Sequence, residues 1–265
     1  MQDYHTHTTL CKHAVGATEE YLAAAERAGL EEFGVSDHLP WPFGYDREVR
    51  MEPEQYSSYR EMVSELAAKS AKVKVKYAVE LDWVPGHMDE VTENIKNEEF
   101  DYILGSIHST LKDPFGVPNY PTPWLKAVTD PAAWLPYYER MRDFVSEFDF
   151  DIIAHFDIPG KLGGLAPESE QIASLIAEIL EIAADRKIAM ELNTAGLRHP
   201  VGRIYPTKEI LKTACAKGVN ITFGSDAHSP KEVAAGFDLA TTLAKECGFD
   251  HYVSFDKRVA TLKSF

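Results

Sequence analysis

Short apolar runs alternate with longer amphipathic stretches along almost the whole chain. Runs 3–5, 33–36, 73–80, 102–107, 151–154, 188–192 and 220–224 are strand-like in length and content. Between them, stretches 18–28, 53–68, 88–97, 133–147, 167–186 and 207–217 have helical spacing, and 230–246 follows the last strand. Thr18 with Glu19 and Glu20 resembles a helix start, and Gly29, Gly218 and Gly248 fall where helices should stop. Strands alternating with helices predict βαβ units around a parallel sheet. Run 252–255 reads as a short extra strand. Two loop-like segments, 39–50 with aromatics and proline and the proline-rich 112–131, follow strand ends and are expected to lie over a site.

Nothing in the composition divides the chain, so one domain is expected over residues 1–265, a length that suits a single α/β barrel. Hydrophobic residues at 45% and charged residues at 26% fit a soluble globular protein. No apolar run approaches the ~20 residues that span a bilayer. The opening MQDYHTHTTL is neither basic nor apolar, so it does not read as a signal peptide, and the cytoplasm is expected. Cys11, Cys215 and Cys247 are odd in number and form no CxxC pair, which argues against a disulfide framework or a cysteine-type zinc site. The net charge of -15 disfavours broad binding of nucleic acid. It leaves room for a small anionic substrate, because divalent cations can make one pocket positive on an acidic protein.

The histidines sharpen the picture. His5 and His7 end the first strand, and residues two apart in an extended segment face the same side. His13 follows in the next loop. The second strand ends in Asp37-His38, the third in Glu80-Leu81-Asp82, the fourth in His108, the fifth in His155-Phe156-Asp157 and the seventh in Asp226-Ala227-His228. Parallel strands of a barrel bring all these C-terminal ends to one face. Seven of the ten histidines would converge there with Glu80 and Asp226. Crowding so many imidazoles and carboxylates into a buried mouth is costly unless metal ions satisfy them. A mixed imidazole and carboxylate set without thiolate suits Zn, Fe or Mn. Asp37 and Asp157, beside ligand histidines, read either as acceptors that fix an imidazole tautomer or as caps. Arg198, after the sixth strand, and Lys161, after the fifth, read either as phosphate contacts or as surface cations. His87 and His251 read as surface residues, and the role of His199 is open.

The order HxH, a spaced His, DH, Glu, His, His and DxH resembles the PHP family (polymerase and histidinol phosphatase) from His5 to His228. The resemblance implies a distorted (β/α)7 barrel with two or three divalent transition-metal ions at the C-terminal strand ends. It implies His5, His7, Glu80 and Asp226 on one metal and His13, His38 and His228 on a second. Glu80 would bridge to a third, completed by His108 and His155. Segments Glu191-Leu192-Asn193-Thr194-Ala195-Gly196-Leu197-Arg198, Ile204-Tyr205-Pro206 and Ser36-Asp37-His38-Leu39-Pro40 resemble the histidinol-phosphatase branch. The implied reaction is hydrolysis of L-histidinol phosphate in histidine biosynthesis. One departure is at Asp157-Ile158-Pro159-Gly160-Lys161, since similar enzymes often carry basic residues slightly earlier.

Clustered divalent ions lower the pKa of water, neutralise phosphoryl oxygens and stabilise a leaving alkoxide. Glu80 and Asp226 are expected to hold the cluster, with the leaving group's proton coming from Asp226 or from water. Arg198 and Lys161 are expected at the phosphate, and the aromatic loop 41–45 over the remote end of the substrate. The rival readings are another phosphoesterase, such as a nuclease or nucleotide phosphatase, a metal-dependent amidohydrolase, and a non-catalytic metal-binding domain.

Overall fold

The computed structural model describes residues 1–41, 44–110, 126–128 and 130–265. Seven strands form one sheet in sequential order, with every pairing parallel. They are β1 (Gln2–Asp3), β2 (Glu32–Val35), β3 (Lys74–Asp82), β4 (Tyr102–Ser106), β5 (Ile152–Ile153), β6 (Ala189–Asn193) and β7 (Ile221–Gly224). The sheet curls until β1 meets β7. Tyr4 N–H donates to Phe223 O at 3.0 Å, and Ala227 N–H donates to His5 O at 3.2 Å. The expected seven-stranded α/β barrel is therefore present, and a closed sheet leaves few unpaired backbone groups at its edges.

The α-helices that lie wholly among the described residues are α1 (Thr18–Arg27), α2 (Tyr56–Lys69), α3 (Met88–Ile95), α4 (Trp134–Glu147), α5 (Glu170–Arg186), α6 (Lys208–Lys217) and α7 (Phe237–Glu246). Ser169 and Thr207 cap α5 and α6 by accepting from Ile172 N and Ile210 N. Gly29, Gly218 and Gly248 take positive φ at helix ends, as the sequence predicts. Stretch 230–246 is not one helix. It divides into a 3-10 turn at Pro230–Glu232 and α7, with Ala234 at φ +56° and Gly236 at φ +80° between them. The break lets Ala234 N–H reach the buried Asp3 carboxylate at 2.9 Å, which ties this segment to β1.

Tyr4, Ala78, Tyr102, Leu104, Ile152, Ala154 and Ala189 pack together with Val253 and Phe255 in a cluster of their own. Run 252–255 is thus not an eighth barrel strand. It belongs to β8 (His251–Asp256), which pairs antiparallel with β9 (Val259–Ser264) as a hairpin. Gln2 Nε2 donates to Val253 O at 2.8 Å, and Phe255 N–H donates to Tyr4 Oη at 2.9 Å. These contacts lie at strand beginnings, so the hairpin plugs the N-terminal mouth and leaves the other mouth for chemistry. No described helix is long and apolar enough to cross a membrane. Most of segment 112–131 lies outside the described residues.

Candidate metal centre

The C-terminal mouth gathers the predicted side chains around Glu80, which lies two residues before the end of β3 and is 1% exposed. Its two oxygens face different imidazoles. Oε1 lies 2.9 Å from His155 Nε2 and 3.6 Å from His108 Nε2. Oε2 lies 2.9 Å from His38 Nδ1, 3.4 Å from His5 Nε2 and 3.7 Å from His7 Nε2. Asp226 Oδ1 stands 3.2 Å from His7 Nε2 and 3.7 Å from His5 Nε2. The His228 ring stacks 4.2 Å from that of His7 and lies 4.4 Å from that of His13. His13, in the loop after β1, is the most open of the set, and its Nδ1 is 2.7 Å from Cys11 O. Cys11 Sγ lies within 4.8 Å of ligand nitrogens of His13 and His228, and burial raises its thiol pKa.

Whether metal ions suit this mouth is decided by its buried polar atoms. His5 Nε2, His7 Nε2, His38 Nδ1, His228 Nε2 and Glu80 Oε2 are buried without a well-directed hydrogen bond among the described residues, although His38 Nδ1 and Glu80 Oε2 stand 2.9 Å apart. Each such atom costs about 1–3 kcal/mol if left unsatisfied, and five aimed at one region is a pattern that cations resolve. Groups that could hold an ion include His5–His7–Glu80, His5–His155–Asp226 and His7–His38–His228.

The charge states follow the same logic. Burial opposes ionisation of Glu80, but His38, His5 and His108 outweigh it and hold its pKa well below the usual carboxylate range. Asp226 is likewise held far down against burial by His5, His7 and His228, which suits holding a cation better than donating a proton. Burial, helped by His7 and Arg50, pushes His38 down to about 4 although Glu80 opposes this.

Outer partners fix several of these rings, and sequence reading missed most of them. Asp82 Oδ1 is 2.7 Å from His108 Nδ1, and its other oxygen takes Arg50 Nη2 at 2.5 Å. Arg50 is itself buried and also donates to Leu39 O at 2.8 Å. Glu191 Oε1 is 2.7 Å from His5 Nδ1. Asp37 Oδ1 lies 3.4 Å from His7 Nδ1, while the same carboxylate accepts from the N–H groups of Thr8 and His38 at 3.1 and 2.8 Å. Asp37 thus combines both of its expected readings. Asp157 does not reach an imidazole: it pairs with Arg203 at 2.9 Å and accepts from Thr207 N–H at 3.1 Å.

Above the cluster opens a cavity of about 460 Å³, whose walls include His13, His38, Asp46, Val49, Arg50, Ile158, Lys161, Arg198, His199 and Glu232. Arg198 and Lys161 are thus both on the wall of this cavity. Arg198 Nη2 donates to Ser225 O at 2.8 Å and to Asp226 O at 3.2 Å, which fixes the guanidinium beside β7. His199 also lines the cavity, 3.2 Å from Tyr205 Oη through its Nδ1. The expectation for loop 41–45 is only partly met. Trp41 and Tyr45 are buried in the core with centroids 5.6 Å apart and do not line the cavity. Residues 42 and 43 lie outside the described residues, and Asp46, Val49 and Arg50 form that wall instead.

Against known proteins, the PHP domain family model matches residues 3–195. The chain is 32% identical over 247 residues to the "Probable histidinol-phosphatase" of Deinococcus radiodurans, covering 93% of each protein. It is 23% identical to the "Histidinol-phosphatase" of Bacillus subtilis, across 89% of this chain and 97% of that protein. Among solved structures, it resembles a Lactococcus lactis histidinol phosphate phosphatase complexed with zinc, L-histidinol and phosphate. The TM-score is 0.78 at 22% identity, with 98% of both chains covered.

Proposed function

Since this chain belongs to the PHP domain family, we propose that it is a metal-dependent phosphomonoesterase that hydrolyses L-histidinol phosphate to L-histidinol and phosphate. The observation that carries the reading is the shared Glu80 carboxylate under a cavity whose wall bears Arg198 and Lys161. The relatives named histidinol-phosphatase support the substrate, and histidine biosynthesis is the route in which it is consumed.

Two or three divalent transition-metal ions, drawn from Zn, Fe or Mn, complete the site; zinc is the ion in the Lactococcus protein. His5, His7, Glu80 and Asp226 would hold one. His13, His38 and His228 would hold a second, and Glu80 with His108 and His155 a third. The ions supply charge neutralisation at phosphorus and lower the pKa of water. Arg198 grips phosphate oxygens through its planar fork, already oriented by the Ser225 and Asp226 carbonyls. Lys161 adds a second cation on the same wall. Asp46, also on the cavity wall, suits the ammonium group at the remote end of the substrate. Binding that end orients the ester for in-line attack.

The test is a comparison of kcat/KM for histidinol phosphate, p-nitrophenyl phosphate and single-stranded DNA. Histidinol phosphate should be preferred over both. Equal efficiency on the two small esters would leave only a general phosphatase, and preferred cleavage of DNA would replace the reading with a nuclease. In the same assay, Arg198→Ala should cost about 1.5–3 kcal/mol of transition-state binding, roughly 10- to 150-fold in kcat/KM. Metal content should stay intact. An unchanged kcat/KM would take Arg198 out of the phosphate site.

A further inference from the structure

Glu191 lies on β6, is fully buried, and is not among the side chains of the three candidate ion groups named above. Its carboxylate is nonetheless saturated with directed contacts. Oε1 is 2.7 Å from His5 Nδ1. Oε2 accepts from His155 N–H at 2.8 Å and from Asn193 Nδ2 at 3.0 Å. One carboxylate thus joins the ends of β1 and β5. The two histidines it holds address opposite oxygens of Glu80: His5 Nε2 faces Oε2 at 3.4 Å, and His155 Nε2 faces Oε1 at 2.9 Å.

Each contact controls something a ligand needs. A proton on His5 Nδ1, donated to Glu191, leaves the Nε2 lone pair for the cluster. His155 has φ +24°, a backbone conformation that non-glycine residues seldom adopt. The bond from its N–H to Glu191 helps hold that conformation and so sets where its ring points.

The neighbouring strand is shaped around this carboxylate. A Cβ on Gly224, at the end of β7, would lie 1.8 Å from Glu191 Oε1 and 2.7 Å from the His5 Cβ. Backbone and buried groups offer no room for such an atom, so the absence of a side chain at 224 is a requirement of the Glu191–His5 contact.

We propose that Glu191 is a positioning residue that orients His5 and His155 together, and that Gly224 is the space it needs. The inference rests on the metal-centre reading above. Glu191→Gln keeps the size of the side chain but turns one acceptor into an NH2 donor. If the amide faces His5, it selects the tautomer with its proton on Nε2, and the lone pair is withdrawn from the cluster. If it faces His155, it meets an N–H and loses that bond. Either way one of the two ligands is misdirected.

The test uses the full chain stripped of metal and titrated with Co²⁺. Affinity is read by competition with a chromophoric chelator, and ligand geometry by the visible absorption of the bound ion. Glu191→Gln should bind Co²⁺ about 10- to 100-fold more weakly, the scale for partners of metal-ligating histidines. Its absorption bands should shift, while the metal-free melting temperature falls only modestly, by the loss of the His5–Glu191 ion pair. Gly224→Ala should reproduce the weaker binding and the shifted bands. Parent-like affinity and spectrum in Glu191→Gln would overturn the proposal. So would a metal-free melting temperature that falls in step with affinity in both variants, because that describes a buttress of the fold. A parent protein that takes up no Co²⁺ would overturn the metal-centre reading itself, and this inference with it.

Discussion

Glu80→Gln should lower kcat/KM on the order of a thousand-fold, about 4 kcal/mol, a larger loss than replacement of any single histidine of the cluster. The reason is the number of groups that one carboxylate serves. Five imidazoles approach its two oxygens between 2.9 and 3.7 Å. Burial disfavours its charge, yet His5 and His108, both raised above the ordinary imidazole pKa, help keep it ionised. An amide of the same shape has no charge to offset bound cations, and it presents an NH2 donor to nitrogens that must act as acceptors. Two ion positions would loosen together, whereas an imidazole replaced by alanine removes one donor from one position. The measurement is kcat/KM with metal content on the same sample. A Glu80→Gln protein with full metal content and near-normal turnover would show that Glu80 is not the bridge.

How much of this was legible in advance depends on the range of the interaction. The HxH pair could be read because side chains two apart on a strand share a face. Strand ends could be assembled on one mouth because parallel strands in a barrel all run the same way. That logic reached Glu80, His108, His155 and Asp226 without coordinates. Apart from Asp37, it did not reach the partners behind the ligands. Glu191 and Asp82 are ordinary strand residues in sequence, and only the barrel's closure sets them against His5 and His108. Asp157 shows the converse case, in which the second of its two readings, a cap, is the one the contacts favour. It stands two residues from His155, but the turn after β5 sends its carboxylate to Arg203 and the Thr207 amide. Trp41 and Tyr45 looked like a substrate lid because aromatic loops near strand ends often are. Their burial beside Arg50 shows that the hydrophobic effect claimed them for the core. The hairpin of β8 and β9 was half visible as an apolar run, but its role as a plug depends on contacts with Gln2 and Tyr4 far along the chain.

Metal removal should abolish phosphatase activity, and the protein should melt about 10 °C lower than with its ions bound. An ion present at a thousand times its dissociation constant stabilises the folded state by about 4 kcal/mol. For a chain of this size each kcal/mol moves the midpoint by roughly 2–4 °C. The size of the gap should depend on pH, and the sign follows from the ligands. Without ions, burial opposes a proton on His7, but the carboxylates of Asp226 and Asp37 outweigh it and raise its pKa from 6.5 to about 9. His5 is raised well above its ordinary value by Glu191, Asp226 and Glu80, again against burial. A histidine whose folded-state pKa is raised contributes stability that is fully present below its unfolded value. For His7 that contribution is lost as pH climbs from about 6.5 to about 9. The metal-free form should therefore weaken over that window. The loaded form does not share this loss, because its ions hold the imidazoles deprotonated, as they are in the unfolded chain above about pH 6.5. Ion affinity therefore rises with pH by the same linkage, and the difference in melting temperature should widen from pH 6.5 to pH 9. Calorimetry of stripped and reconstituted protein at both pH values measures it directly. A gap that stays constant or narrows would mean that His5 and His7 do not exchange protons for metal. Full activity in the presence of excess chelator, with less than one metal ion per chain, would remove the metal-dependent mechanism altogether.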